Sequence, residues 1–355
     1  MLILTASELL KLAINKKVSD VFIVSGCPVS AKIGGRVEPL SEHRLSPEDT
    51  QTMIREIYTL DHQRKMDRLL RHGDDDFSFS VSGLGRFRCN AYKQRGSLSA
   101  VLRVVSFSLP DPDMLSIPPA VIDLYRKQRG LVLITGPAGS GKSTTLACMI
   151  DKINRNCYNH IITIEDPIEY LHSHQKSIVS QREIEHDTDG YKQALRAALR
   201  QAPDVILLGE MRDFETIQTV LTASETGQLV FSTLHTVGAA KTIDRIIDVF
   251  PANQQQQIRV QLSMVLQAVV SQQLIPSVDG SLIPAFEIMT VNSAIRNMIR
   301  ESKVHQINNV IFAGAAEGMR TMDSDILRLY QEGKISRENA LLYSTDLESM
   351  KKKLV

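Results

Sequence analysis

The sequence predicts an α/β protein of two domains, and three observations support this fold class. The chain has 355 residues, more than one ordinary domain holds. Four prolines between residues 108 and 119 fix the backbone and remove N–H donors, so this segment is predicted to be an extended linker. Strand-and-turn patterns precede the linker, and short apolar runs alternating with helical patterns follow it.

Residues 1–107 are predicted to form an α+β domain. An amphipathic helix is expected over residues 5–17, where Leu9, Leu10, Ala13 and Ile14 share one face. A second helix is expected to begin at Ser46-Pro47-Glu48-Asp49, with proline at the first helical position and acids in the first turn. A turn is predicted at Gly34-Gly35. The predicted strands are Asp20–Ser25, Val29–Ile33, Phe77–Val81, Gly85–Lys93 and Leu98–Val105.

Residues 120–290 are predicted to form a second domain around a parallel sheet, because strands that are apolar on both faces alternate with helices. The strands are expected at Leu131–Thr135, Ile161–Ile164, Val205–Leu208 and Leu229–Phe231, and helices at Tyr191–Gln201 and Ala239–Val249. After residue 253 the chain is predicted to be mainly helical, and residues 291–355 form a helical C-terminal region. The helices expected there are Gln254–Gln273, Ala294–Ser302, Met322–Gln331 and Ser336–Leu342.

Composition argues against several classes of function. The 41 basic and 40 acidic side chains give a net charge of +1, which does not favour nucleic acid as a partner. The four cysteines have neither zinc-site nor disulfide-framework spacing. No signal peptide and no run of 18 uncharged apolar residues is found, so we expect a cytoplasmic protein without direct membrane insertion.

A phosphate-binding loop is the most specific motif in the chain. Residues 136–143 match G-x-x-x-x-G-K-[ST] in full, between a predicted strand and a predicted helix. Glycines allow backbone N–H groups to surround a phosphate, and the helix N-terminus adds a favourable dipole. Lys142 is predicted to reach the β- and γ-phosphates, and the Ser143 hydroxyl to ligate Mg²⁺. The predicted nucleotide-binding residues are Gly136, Pro137, Ala138, Gly139, Ser140, Gly141, Lys142, Ser143 and Thr144.

Three further predicted strands end in polar residues, which should face the same crevice as the loop. Glu210 follows Val205–Leu208 and could hold Mg²⁺ or orient the attacking water. Glu165 ends another strand and could act as general base, because two acids allow a division of labour. His235 could sense the γ-phosphate. The absence of a guanine-reading N-K-x-D motif favours ATP as the nucleotide.

Taken together, these motifs resemble the secretion-ATPase superfamily of type II secretion and type IV pilus motors. The matching segments are the phosphate loop, Ile-Thr-Ile-Glu165-Asp-Pro-Ile-Glu169, Gly209-Glu210-Met-Arg-Asp213 and Ser-Thr-Leu-His235-Thr236, in the family's order. Ala294-Ile-Arg-Asn-Met-Ile-Arg-Glu301 is similar to the C-terminal signature of the pilus retraction ATPases. No four-cysteine insertion typical of assembly ATPases is found, which also fits the retraction type.

The resemblance implies a PAS-like N-terminal domain, a RecA-like P-loop ATPase domain and a homohexameric ring that hydrolyses ATP with Mg²⁺. In such rings N-domain arginines reach the nucleotide, which implies Arg88 and Arg103 as catalytic residues and Arg95 as a nucleotide contact. It also implies action at the inner face of the cell membrane on a pilus platform protein, with a second pilus ATPase as a further partner.

Three other functions stay open at this level. The same chemistry serves pilus assembly or type II secretion ATPases and accessory retraction paralogues. A regulatory nucleotide-binding module would bind ATP without sustained turnover, which the two strand-end acids disfavour. A DNA-translocating motor is disfavoured by the neutral charge balance.

Overall fold

The computed structural model describes residues 4–16, 18–33, 36–61, 64–105 and 109–354. The chain divides into two compact units, Met1–Ser108 with Glu169–Leu171, and Leu109–Ile168 with His172–Val355. The predicted mixed α/β class is confirmed, because each unit is built on its own β-sheet. The predicted Gly34-Gly35 turn lies outside the described residues. The proline-rich segment from residue 109 to 119 belongs to the second unit.

The described residues of the first unit form an antiparallel sheet with three helices. The six strands lie in the order β3-β2-β1-β6-β5-β4, and every neighbouring pair is antiparallel. The strands are β1 (Asp20–Ile23), β2 (Pro28–Ile33), β3 (Arg36–Arg44), β4 (Asp74–Val81), β5 (Gly85–Gln94) and β6 (Ser97–Val105). The helices are α1 (Ala6–Asn15), α2 (Pro47–Leu60) and α3 (Asp67–His72).

Both predicted helices of this unit form, and each begins with a capping box. The Thr5 hydroxyl accepts from the Glu8 backbone at the start of α1, and Ser46 accepts from Asp49 at the start of α2. The edge strand β3 was not predicted. Its sequence is largely exposed and charged, so it lacks the apolar alternation by which strands are recognised.

The second unit contains a seven-stranded sheet in the order β13-β12-β7-β11-β10-β8-β9. All neighbours are parallel except β12 and β13. The strands are β7 (Gly130–Thr135), β8 (His160–Glu165), β9 (Ile178–Glu183), β10 (Val205–Leu208), β11 (Leu229–Leu234), β12 (Leu266–Pro276) and β13 (Leu282–Thr290). The four predicted parallel strands are therefore confirmed, and β9, β12 and β13 are additions.

Eleven α-helices are found among the described residues of this unit. They are α4 (Pro119–Ile122), α5 (Lys142–Asn156), α6 (Tyr191–Ala198), α7 (Phe214–Glu225), α8 (Ala239–Asp248), α9 (Ala252–Val265), α10 (Ser293–Arg300), α11 (Ile307–Ala313), α12 (Met322–Gln331), α13 (Arg337–Tyr343) and α14 (Leu347–Lys353). None of the helices in the described ranges combines the length and apolar character needed to cross a bilayer.

The prediction of one helix over Gln254–Gln273 is wrong. Helix α9 ends at Val265, and β12 begins at the next residue. Glutamine and leucine favour helices in isolation, but pairing with β7 on one side and β13 on the other satisfies the β12 backbone. The same pairing buries Val269 and Val270. This strand places residues 271 and 272 beside the phosphate loop.

Alternate residues of the central strands pack against two hydrophobic clusters, one on each face of the sheet. Leu131 and Leu133 of β7 belong to one cluster, which includes residues of α6 to α10. Val132 and Ile134 belong to the other, which includes residues of α5. Burial on both faces explains why these strands appear in the sequence as continuous apolar runs.

Candidate active site

The phosphate loop connects the buried strand β7 to helix α5. Its first residue is fixed to the neighbouring strand, because the Gly136 N–H donates to the Leu234 carbonyl at 3.2 Å. Gly139 and Gly141 have positive φ angles of 75° and 85°, the left-handed conformation that favours glycine. Residues 137–139 are exposed at the tip. The loop thus ends with Gly141 at the N-cap of a 15-residue helix.

Lys142 is buried, and its ammonium group folds back over the loop. Its Nζ donates to the carbonyl oxygens of Gly136 at 2.9 Å and Pro137 at 2.8 Å. Ser143 and Thr144 follow in the first turn of α5 and are partly buried. A cation, a hydroxyl and helix N–H groups are therefore clustered where a phosphate chain would bind.

Gly136 leaves no room for a side chain. A methyl group added there would lie 2.1 Å from the Gln272 carbonyl oxygen and 2.8 Å from the Ser140 hydroxyl, and φ is +140°. We therefore expect Gly136→Ala to lower the free energy of unfolding by about 2–4 kcal/mol and to weaken ATP binding. Urea unfolding and ATP titration measure both effects.

Gly139→Ala is the matched control. Gly139 also has a positive φ, but a methyl group there meets nothing within 4 Å. Its cost should be limited to backbone strain of about 1–2 kcal/mol. Equal losses of stability for the two variants would contradict the close approach to Gln272.

The ends of β10 and β11 bring two of the predicted site residues together. The Glu210 carboxylate lies 3.4 Å from His235 Nε2, and it also forms an ion pair with Arg212. The Thr233 hydroxyl donates to the Gly209 carbonyl at 2.6 Å, which connects the two strand ends. Glu210 is buried while the His235 side chain is 57% exposed, so the imidazole is the more accessible of the two.

Glu165 lies at the end of β8, the strand that pairs with β10. Its Oε1 accepts from the Thr163 hydroxyl at 2.7 Å and from the Gln181 amide at 3.2 Å. These contacts fix the carboxylate at the carboxyl edge of the sheet that also carries Glu210. The Gln181 contact comes from β9, a strand that the sequence analysis did not predict.

Tyr191 is a member of this region that sequence reasoning missed. A methyl group added at Gly209 would lie 2.8 Å from the Tyr191 hydroxyl, which therefore sits against the loop that carries Glu210. Burial raises the pKa of Tyr191, and the charges of Asp166 and Glu210 raise it further. No motif marks Tyr191, since it is simply the first residue of α6.

The three predicted arginines lie in the first unit, on β5, β6 and the turn between them. Arg88 and Arg103 face each other on adjacent strands. Each has an acidic partner: Arg88 contacts Asp76 at 2.6 Å, and Arg103 contacts Asp20 at 2.9 Å. Arg95 occupies the turn with φ 49°, roughly 20 Å along the strand from Arg88. The structure therefore places Arg88 and Arg103 side by side and Arg95 at a distance from them.

The C-terminal signature forms helix α10, as predicted. Ile295 and Ile299 are buried. Arg296 donates to the carbonyl oxygens of Ser263 at 2.6 Å and Met264 at 2.9 Å, and so caps the end of α9 just before β12. The signature helix is thus fixed to the start of the strand that borders the phosphate loop.

A cavity of about 430 Å³ lies beside the phosphate loop within the second unit. Its lining includes Gly141 and Thr144 of the loop and helix α5, and Gln272 and Leu274 of β12. Ile117 of the proline-rich segment adds an apolar wall. The cavity has the size and mixed lining of a small-molecule site.

The residues present fit a magnesium nucleotide. The loop has a buried cation, a first glycine that leaves no room for a side chain, and a buried Ser140 hydroxyl with no hydrogen-bond partner among the described residues. Mg²⁺ in phosphate sites usually takes one or two protein oxygens and keeps waters. Ser143 and Glu210 could supply such oxygens.

Known proteins are similar to this chain over nearly its whole length. The family model of the type II/IV secretion system protein matches residues 4–353. A type IV pilus retraction ATPase, PilT, of Pseudomonas aeruginosa is 45% identical over 94% of this chain and 96% of its own. The type IV pilus ATPase PilU of the same species is 39% identical over 97% of this chain and 90% of its own.

A solved structure is similar over almost the whole length. The crystal structure of the pilus retraction motor PilT with bound ADP superposes with a TM-score of 0.91 at 46% identity, covering 99% of this chain and 100% of that one. The fold, the complete phosphate loop and these relatives lead to one conclusion. The chain belongs to the type II/IV secretion system protein family, and it is a P-loop ATPase.

Proposed function

We propose that this chain is the ATP-hydrolysing motor that powers retraction of a type IV pilus and hence twitching motility. The observation that carries the proposal is the 45% identity to a pilus retraction ATPase over nearly all of both chains. The retraction-type signature helix α10 and the complete phosphate loop point in the same direction.

In the proposed reaction, residues 136–144 hold the phosphates of ATP, and Lys142 moves from the loop carbonyls to the β- and γ-phosphates. Mg²⁺, when bound through Ser143 and Glu210, would neutralise the charge that develops on the phosphates. Glu165 accepts a proton from the attacking water. Two neutral donors hold its carboxylate in position for this role at the carboxyl edge of the sheet.

His235 is proposed to report the state of the γ-phosphate. It contacts Glu210, and the loop after it leads directly into helix α8. Only three residues separate His235 from the start of α8. A movement of His235 that follows a change at the γ-phosphate can therefore be passed to this helix. The proposal also assigns Arg88 and Arg103 to the transferred phosphoryl group, for which they must leave Asp76 and Asp20, and Arg95 to nucleotide contact.

The working form is proposed to be a homohexameric ring at the cytoplasmic face of the inner membrane. There it acts on the pilus platform protein, alone or beside a second pilus ATPase. In such a ring, ATP binding would order the groups that contact the phosphates, and hydrolysis would release them. Successive hydrolysis events would convert these changes into motion of the platform protein.

The test is a strain in which this chain carries Lys142→Ala and replaces the native copy. The proposal predicts abundant surface pili and lost surface motility, because assembly continues while retraction stops. A strain without pili would instead indicate an assembly motor. Normal pili and normal motility would indicate an accessory paralogue or a different machine, and either result would contradict the proposal.

A further inference from the structure

Strand β12 contacts the phosphate loop at both ends, although no motif marks it. At the start of the loop, the Gln272 carbonyl oxygen lies against Gly136, where even a methyl group would meet it at 2.1 Å. At the end of the loop, a methyl group added at Gly141 would lie 2.9 Å from the Gln272 side-chain nitrogen. One residue of β12 therefore spans the loop from its first glycine to its last.

The side chain of Gln272 is also bonded to the helix that follows the loop. Its Oε1 accepts from the Thr145 hydroxyl at 2.7 Å, and Gln272 is 3% exposed. Thr145 is fully buried in the first turn of α5, and its N–H donates to the Gly141 carbonyl at 3.0 Å. Because Oε1 is occupied by this hydroxyl, the amide NH₂ group is directed at Gly141 and the cavity beside it.

Ser271, the residue before Gln272, connects β12 to the loop after His235. The Ser271 hydroxyl lies 2.6 Å from the Thr135 hydroxyl at the end of β7. It also accepts from the Gly238 N–H at 3.0 Å, next to the start of α8. Neighbouring residues of one strand thus fix the phosphate loop and the segment after His235.

We propose that Gln272 is a positioning residue for nucleotide binding: its amide fixes the junction of the phosphate loop and α5 in the geometry that accepts phosphate. The amide oxygen of Gln272 holds Thr145, and its NH₂ group places a neutral hydrogen-bond donor beside the loop. An acceptor at this position would repel an anion. This inference rests on the proposed use of ATP, and it names a residue outside the phosphate-loop motif and the strand-end acids.

Gln272→Glu tests the amide with almost no change of shape. The carboxylate can still accept from Thr145, but the donor is lost and a negative charge is placed at Gly141. The dissociation constant for ATP and the KM should both rise about tenfold or more, because like charges in a buried site repel strongly. The kcat should change by less than about threefold, because Gln272 is a positioning residue and not a catalytic one.

Gln273→Glu is the matched control, with the same change one residue further along the same strand. Gln273 is partly buried, and its amide donates to the Tyr343 carbonyl at 3.4 Å, in the C-terminal helical region away from the loop. The control should keep the ATP affinity of the wild type. Equal affinities of Gln272→Glu and Gln273→Glu would overturn the inference, and so would a fall in kcat and melting temperature without a rise in KM.

A second variant covers the case in which Gln272→Glu does not fold. Thr145→Val removes the hydroxyl that donates to Gln272 and keeps the shape of the side chain. It should weaken ATP binding about threefold or more, and an unchanged affinity would overturn the inference. The wild-type titration separates this result from the proposed function: a wild type that binds no ATP refutes the function, whereas a binding wild type with unaffected variants refutes the inference alone.

Discussion

Replacing Lys142 by alanine is expected to lower ATP turnover by about a hundredfold to a thousandfold. The ammonium group is the cation that the structure places inside the phosphate loop, 2.9 Å from the Gly136 carbonyl and 2.8 Å from the Pro137 carbonyl. Alanine removes the positive charge that would attract the β- and γ-phosphates, so ATP binding should also weaken. Phosphate release at saturating ATP and an ATP titration measure the two effects.

The fold should survive this substitution. Lys142 is at the first position of α5, where alanine is a good helix former, and one of the two carbonyls it leaves, that of Pro137, belongs to the exposed tip of the loop. Lys152→Ala, at an exposed position on the same helix, is the matched control and should retain full turnover. Turnover of Lys142→Ala close to that of the control would contradict the assignment of the loop.

Glu210→Gln is expected to separate binding from hydrolysis. The amide keeps the shape of the side chain beside His235 but cannot supply the negative charge that holds a metal or orients water. We expect kcat to fall about a hundredfold or more, with ATP affinity within about threefold of the wild type. Single-turnover phosphate release and equilibrium titration with the same preparation give both values.

Glu215→Gln is the control for the loss of one carboxylate nearby. Glu215 lies in the first turn of α7, is half exposed and pairs with Lys192 at the surface. Its turnover should match that of the wild type. If Glu210→Gln hydrolysed ATP normally, the chain would not use this strand-end acid, and the proposed division of labour with Glu165 would be wrong.

The parts of the site that the sequence predicted are those encoded within a few residues. The phosphate loop needs its glycines, lysine and serine in one continuous segment, and apolar strands on either side of such a motif are recognised locally. Glu165, Glu210 and His235 were placed by a rule of the same kind, because the carboxyl ends of parallel strands share one edge. The structure brings Glu210 and His235 into contact there.

The parts that the sequence analysis missed depend on which strands become neighbours. Gln272 borders the loop because β12 pairs with β7, and its partner Thr145 is 127 positions earlier in the chain. Local preference pointed the other way, since the glutamine-rich segment was predicted to be helical. The ion pairs of Arg88 and Arg103 have the same origin: Asp20 meets Arg103 across 83 positions because β1 pairs with β6.

The most direct test of the motor assignment is time-lapse imaging of labelled pili in cells whose copy of this chain carries Glu210→Gln. The account predicts pili that extend normally and almost never shorten, because the Glu210→Gln protein binds ATP without hydrolysing it. Glu215→Gln cells should extend and retract pili like the wild type. Frequent shortening in Glu210→Gln cells, or cells that extend no pili at all, would contradict the account.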